Sequence, residues 1–338
     1  MAFRTLFHLN FGPERCLLKN INCYKTFTNV VNSPKNCRGF KRLKDTSNQA
    51  ESNISSLVIN EMVPSVRRLW KPFGFTIIIG SAAHIGAAIW EYERIRDHTY
   101  KLINRYQQLR INKIGWRGEL EKWWQNLTEG QRVFAPICFL NILVFLAWRI
   151  PVLNTTMIRY FCANPACRNL CWPMLFSTFS HISIIHLSVN MYVLQSFCTA
   201  AVSTLGREQF VALYLTSGMT ASFFSQVYKT VTKRPGLSLG ASGSIMGVVS
   251  FICLQYPDIR LSIAFLPMLN FKAIYGIKGL AMFDIMGCLF KWSIFDHAAH
   301  LGGAFWGLFW QKWGNRNLWQ KREPFLNFWH SIREPPRS

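Results

Sequence analysis

The sequence predicts an all-α polytopic membrane protein, with one isolated span ahead of six closely spaced ones. Half of its 338 residues are hydrophobic and only 16% are charged, whereas a soluble globular chain carries about a quarter charged residues. Apolar runs approaching the ~20 residues needed to cross a bilayer recur along the chain. From Asn169 to Leu205 there is no Asp, Glu, Lys or Arg. Helices are the open-chain solution in lipid, because each satisfies its own backbone hydrogen bonds.

The first span runs from Phe73 to Trp90, bracketed by Lys71 and Glu91, with His84 inside it. The second, Val133 to Trp148, is short, and Arg132 and Arg149 can snorkel at its ends. The third covers Ser180 to Thr204 and the fourth Phe210 to Tyr228. The fifth lies within Pro235 to Pro257 and starts near Ser242. The sixth, Ala273 to Phe290, carries Lys278 and Asp284, and the seventh begins at His297 and reaches Trp310. The resulting organisation is a segment at 1–50, a linker at 51–72, the isolated span at 73–92, a hydrophilic and partly helical connector at 93–131, a six-span core at 132–313 and a basic tail at 314–338. The N-terminal segment, the connector and the tail are all basic. An odd span count puts the termini on opposite faces, so the positive-inside rule does not orient the chain by itself.

The basic excess is large, 38 Lys and Arg against 16 Asp and Glu. Between Met1 and Lys44 the only acidic residue is Glu14, among Arg4, Arg15, Lys19, Lys25, Lys35, Arg38, Lys41 and Arg42. An Arg-bearing, acid-poor, locally amphipathic N-terminus reads as a mitochondrial presequence, and it lacks the apolar run of a secretory signal. A plain basic tail is the alternative. Nucleic acid is excluded as a partner, since no basic, aromatic-interleaved soluble module follows. Cys138, Cys198, Cys253 and Cys288 lie in apolar segments, where a thiol acts as a small hydrophobe. Cys162, Cys167 and Cys171 share a loop, as a bridge, a metal site or an incidental cluster.

Polar groups inside spans are costly and point to function. Gly240-Ala241-Ser242-Gly243 opens the fifth span. Glycine permits close approach there, and a helix N-terminus offers free N–H groups to an oxyanion. Gly243 and Gly247 could equally be a helix-packing face. In Ala299-His300-Leu301-Gly302-Gly303, His300 sits one turn into the seventh span, with Gly303 and Gly307 at helical spacing. A Ser hydroxyl needs a base to take its proton, and histidine is the usual one. If the two small-residue stripes meet, His300 approaches Ser242. A core histidine, or a metal ligand paired with His297, is the competing reading. His186 and Asn190, at i and i+4, share a helix face and can donate to a developing oxyanion. His181 would lie about 140° around that helix, in a separate structural role. Either Asp284 or Asp296 could be proposed as the third member of a triad, but Asp284 reads first as a buried polar contact and Asp296 as an interfacial or capping residue. Together these sets supply nucleophile, base and oxyanion donors on three spans.

His181-x4-His186-x3-Asn190, Gly240-Ala241-Ser242-Gly243 and Ala299-His300-x-x-Gly303, in this order, resemble the rhomboid family of intramembrane serine proteases over roughly Arg132 to Trp313. The isolated first span, Leu239 to Gly243, Phe295 to Gly303 and Arg322-Glu323-Pro324 are similar to its mitochondrial presenilin-associated branch. The resemblance implies a six-helix core with one extra transmembrane helix (1+6). It implies a Ser242–His300 dyad with no aspartate, an oxyanion hole of His186, Asn190 and the Ser242 N–H, and structural roles for His181, Gly240, Gly243, Gly247, Gly303 and Gly307. No metal or cofactor is called for. The implied partners are single-span membrane proteins in the lipid bilayer of the mitochondrial inner membrane, with an oligomer left open and roles in mitochondrial fusion, quality control and apoptosis. One departure is Trp172-Pro173, where many rhomboids carry Trp-Arg. Two other readings remain: a non-cleaving rhomboid-like binder, and a metal- or haem-binding protein using His181, His186, His297 and His300.

Overall fold

The computed structural model describes residues 65–104, 115–234, 236–263, 266–292 and 295–333. The presequence at 1–50 and most of the linker lie outside the described residues.

Helices occupy each of the seven expected positions. Helix α1 spans Trp70–Asn104. It continues past Trp90, where the sequence reading ended it, for a physical reason. No helix breaker intervenes, and the charged extension finds partners: Glu91 pairs with Arg322 and Arg94 with Glu208. Helix α2, Trp116–Asn126, lies in the connector. Helix α3, Glu129–Ala147, starts at a capping box in which Thr128 and Gln131 satisfy each other's backbone N–H. Arg132 donates to the carbonyls of Trp124 and Gln125, at 3.1 and 2.7 Å, and fastens α2 to α3.

After helix α4, Asn154–Phe161, the loop tightens into two helical turns, Trp172–Phe176 and Ser177–Phe179. Pro173 sits in the first turn of the former, where its missing N–H costs nothing. Helix α5 is Ile184–Leu205, and its cap Ser183 accepts from the His186 N–H. The third span therefore begins four residues later than expected and leaves His181 in the preceding loop.

Helix α6, Arg207–Val231, is buried over most of its length. Helix α7, Ser242–Gln255, is enclosed by α5, α6, α8 and α9. A hairpin follows, β1 Arg260–Ile263 antiparallel to β2 Leu266–Lys272, with Arg260 opposite Lys272 and Leu261 opposite Phe271. An all-helical reading did not foresee it. Leu261 and Phe271 fold over Gly276 of helix α8, Ala273–Leu289. Helix α9, His297–Phe309, runs on as a π-helical stretch, Trp310–Trp319, and helix α10, Glu323–Arg333, packs back on α1. The segment expected as a basic tail is thus largely helical, held by Arg322 to Glu91 and by the Trp329 indole to Glu93 at 3.0 Å.

By length and composition, the segment Val66–Leu102, α3 and α5 are apolar and long enough to cross a membrane, whereas α7 is apolar but shorter. Burial explains the short α7. Every residue from Gly243 to Cys253 is buried, so α7 meets protein rather than lipid around its circumference. Its contact with α9 is backbone on backbone. A methyl group on Gly303 would overlap the Gly243 carbonyl oxygen, and one on Gly307 the Gly247 carbonyl oxygen. Small residues let helices approach this closely, as in membrane helix pairs generally.

Gly303→Val is expected to lower the thermal midpoint in detergent, by an amount equivalent to about 1–3 kcal/mol of overpacking. Gly279→Ala on α8, where a new Cβ meets nothing within 4 Å, should leave the midpoint unchanged. Equal midpoints for both variants would refute the close packing of α7 on α9.

Candidate active site

Ser242 is the first residue of α7, and the loop before it is held at several points. Ser238 exchanges two backbone hydrogen bonds with Ala163, at 2.8 and 2.9 Å. The Gly240 N–H donates to the Ser177 carbonyl at 2.9 Å, and the Ala241 N–H to His181 Nε2 at 3.3 Å. Gly240 has φ +127°, a conformation that a side chain would strain. A Cβ there would also collide with the His186 ring, so glycine is required twice over. The first intrahelical bond of α7 runs from the Ile245 N–H to the Ala241 carbonyl. The amides of Ser242, Gly243 and Ser244 precede it and have no acceptor within the helix.

His300 lies in the first turn of α9. Its Nε2 is 2.9 Å from the Ser242 hydroxyl oxygen, a hydrogen-bonding distance. Its other nitrogen, Nδ1, is 3.2 Å from Asp284 Oδ1 on α8. The same carboxylate oxygen is 2.7 Å from His297 Nδ1. Asp284 is 2% exposed, and Gly287 leaves the space that the His297 ring fills. Both Nδ1 atoms can donate to this one oxygen, and in that tautomer the lone pair of His300 Nε2 faces Ser242. The sequence reading had Asp284 as a buried polar contact beside a dyad. It is such a contact, and one of its partners is His300.

His186 and Asn190 lie one turn apart on α5, with the half-buried His186 ring over Gly240. Asn190 is buried, and its Nδ2 is 2.9 Å from His181 Nε2. The placement expected of His181, some way around the helix, is corrected. His181 precedes α5 rather than riding on it, and its Nε2 accepts from both Asn190 and the Ala241 N–H. One imidazole thus ties the amide on α5 to the loop that carries Ser242. Gly243 and Gly247 pack against Ala221 and Ser217 of α6 on one side and against α9 on the other.

The remaining polar candidates are accounted for as follows. Asp296 caps α9 by accepting from the Ala299 N–H at 3.2 Å. Cys162 and Cys171 carry free thiols. Among the described residues no group of three His, Cys, Asp or Glu side chains is arranged to hold a metal ion. Sequence reasoning missed the cluster of Ser225, Lys229 and Ser238 around Asp296. Its one legible signal was a lysine at the edge of an apolar run.

Known proteins match this sequence. The rhomboid domain family matches residues 168–314. The chain is 44% identical over 306 residues to the rat presenilin-associated rhomboid-like protein, mitochondrial, covering 86% of this chain and 81% of that one. It is 45% identical over 274 residues to the human protein of the same description, covering 79% and 72%. It is 31% identical over 139 residues to the rhomboid protease GluP of Bacillus subtilis, covering 41% and 25%. The chain belongs to the rhomboid family, a family of intramembrane proteases. Its extended matches are to the mitochondrial presenilin-associated rhomboid-like proteins.

Replacing His181 with Phe keeps a ring of similar size but removes the acceptor shared by Asn190 and Ala241. Two buried donors are then stranded, and a loss of about 1–3 kcal/mol in stability for each is expected. Thermal or denaturant unfolding in detergent reads it, and wild-type stability in His181→Phe would show that the shared acceptor is dispensable.

Proposed function

We propose that this protein is an intramembrane serine endopeptidase that cleaves single-span membrane proteins, with Ser242 as nucleophile and His300 as general base. The observation that carries the reading is the 2.9 Å approach of His300 Nε2 to the Ser242 hydroxyl, from two helices that meet through glycine. A substrate helix unwinds locally and presents its scissile carbonyl to Ser242. His300 takes the hydroxyl proton and later returns it to the leaving amine, and water hydrolyses the acyl-enzyme. The oxyanion is met by the Ser242 N–H at the α7 N-terminus and by His186 and Asn190. Such donors act at full strength because they are fixed before the reaction begins. Asp284 holds the Nδ1–H of His300, so that the lone pair facing Ser242 stays available.

The 1+6 arrangement, with α1 as the extra span and α3, α5, α6, α7, α8 and α9 as the core, is part of this proposal. A mitochondrial placement is supported by the relatives' descriptions and the presequence-like N-terminus, and the inner membrane, crossed several times, rests on the family resemblance. Roles in mitochondrial fusion and morphology, quality control and apoptosis rest on the family resemblance.

The test uses purified protein in liposomes with a labelled single-span substrate. Ser242→Ala should lower cleavage by about 10³-fold or more while the protein remains folded, as expected when a hydroxyl nucleophile is removed. Equal cleavage by wild type and variant would remove Ser242 from the mechanism. Asp284→Asn should leave KM within about twofold and lower kcat by at least tenfold, within the ~10⁴ bound for losing the carboxylate behind a catalytic histidine. An unchanged kcat would reduce Asp284 to a packing group and leave the Ser242–His300 pair to act alone.

A further inference from the structure

Asp296 and Lys229 form an ion pair that the reaction does not use. Lys229 Nζ, near the end of α6, is 3.0 Å from Asp296 Oδ2, and the two side chains are 13% and 23% exposed. The same carboxylate oxygen accepts from Ser225 Oγ of α6 at 2.6 Å and from Ser238 Oγ. Ser225 and Ser238 are 2.8 Å apart, and Lys229 also donates to Ser238. The other carboxylate oxygen caps α9 through the Ala299 N–H. Burial opposes ionisation of Asp296, but Lys229 and the two hydroxyls outweigh it and lower its pKa to about 2, so the group is anionic throughout the neutral range.

The placement of these four residues is the informative feature. Ser238 lies four residues before Ser242, in the loop that delivers the nucleophile. Asp296 lies four residues before His300, at the start of the helix that delivers the base. Ser225 and Lys229 stand on α6, which packs against both α7 and α9. An ion pair withdrawn from water contributes little net stability, since desolvation offsets the Coulomb attraction. An apolar contact would seal this place as well. What a charged, hydrogen-bonded cluster adds is direction, because it is satisfied at one register of the three elements and at no other.

We propose that Asp296, with Lys229 as its counter-charge, is a positioning residue that sets the distance between Ser242 and His300 by locking the loop before α7 to the cap of α9. The proposal rests on the reading of Ser242 and His300 as the reacting pair. Losing the lock lets Ser238 and Asp296 part, and the hydroxyl and imidazole leave their hydrogen-bonding geometry, while His186 and Asn190 on α5, which the cluster does not touch, stay in place.

The test compares wild type, Asp296→Asn, Lys229→Met, Lys229→Arg and Ser238→Ala in liposomes, with active sites titrated by a serine-reactive fluorophosphonate probe. A displacement of about 1 Å at reacting groups costs up to ~10²-fold. On that scale Asp296→Asn and Lys229→Met should lose at least tenfold in kcat per titrated site, with KM within about twofold. Lys229→Arg, which keeps the charge, should stay within about threefold of wild type, and Ser238→Ala should fall between these limits. Variants that merely unfold would yield fewer titrated sites, each turning over at the wild-type rate. That result, or an unchanged kcat in a folded Ser238→Ala if the charge variants do not fold, would overturn the proposal. Wild-type cleavage by Ser242→Ala would instead overturn the underlying reading, and this control keeps the two failures distinct.

Discussion

The structure depends on one contact, the meeting of α7 and α9 along their glycines. Gly303 lies against the Gly243 carbonyl and Gly307 against the Gly247 carbonyl, with no side chain between them. A larger residue at Gly303 or Gly307 would push α9 away from the α7 backbone. Both helices start at the site, α7 at Ser242 and α9 three residues before His300, so their contact fixes where two side chains can meet. Between helices in lipid the hydrophobic effect supplies no driving force, and close packing with interhelical hydrogen bonds takes its place. Ser250 adds one such bond, to the Ala304 carbonyl at 2.9 Å. The packing that holds the bundle together is also the packing that aligns the Ser242–His300 pair.

A second constraint is satisfaction of polar groups. A serine, four histidines, an asparagine and an aspartate collect around the N-terminus of α7, within a largely apolar bundle. Each unpaired group there would cost on the order of a kcal/mol or more, and the pairing is economical. His181 serves Asn190 and Ala241, Asp284 serves His297 and His300, and Asp296 serves Ser225, Ser238, Lys229 and Ala299. Each acceptor joins segments distant in sequence. The same bonds that satisfy the polar groups therefore restrict how the helices can slide.

What the sequence revealed follows from the range of each signal. Ser242, His300, His186 and Asn190 were legible because their neighbours at fixed spacing, Gly240, Gly243, Gly303 and the i,i+4 relation on α5, are local. The seven helices were legible as apolar runs, though their ends were not. Glu91 and Arg94 looked like a break into solvent, and only their partners Arg322 and Glu208 explain why α1 continues. His181 looked helical because the apolar run begins before the Ser183 cap. Asp284 was visible as an anomaly and Lys229 was passed over, and their partners lie 16 and 67 residues away, beyond any spacing rule. The hairpin was hidden because a run such as Arg260-Leu261-Ser262-Ile263 is too short to separate strand from helix by periodicity.

Helix α1 packs into the bundle rather than standing apart from it. Within its apolar part, His84 stacks on Trp310 with ring centroids 3.9 Å apart, and its Nε2 is 3.5 Å from the Thr216 hydroxyl of α6. At its extension, Arg94 reaches the buried Glu208 at the start of α6, which Arg207 also contacts at 2.8 Å. Further along the chain, α10 returns to α1 through Glu91, Tyr92 and Glu93, which meet Arg322, His330 and Trp329. Trp310 continues the helix that begins at His297, and α6 carries Ser225 and Lys229 at its other end. Helix α1 therefore contacts both α6, through Thr216 and Glu208, and the helix that carries His300, through Trp310. Helix α9 is thus packed on two sides, by His84 of α1 against its Trp310 continuation and by α7 along the glycine seam.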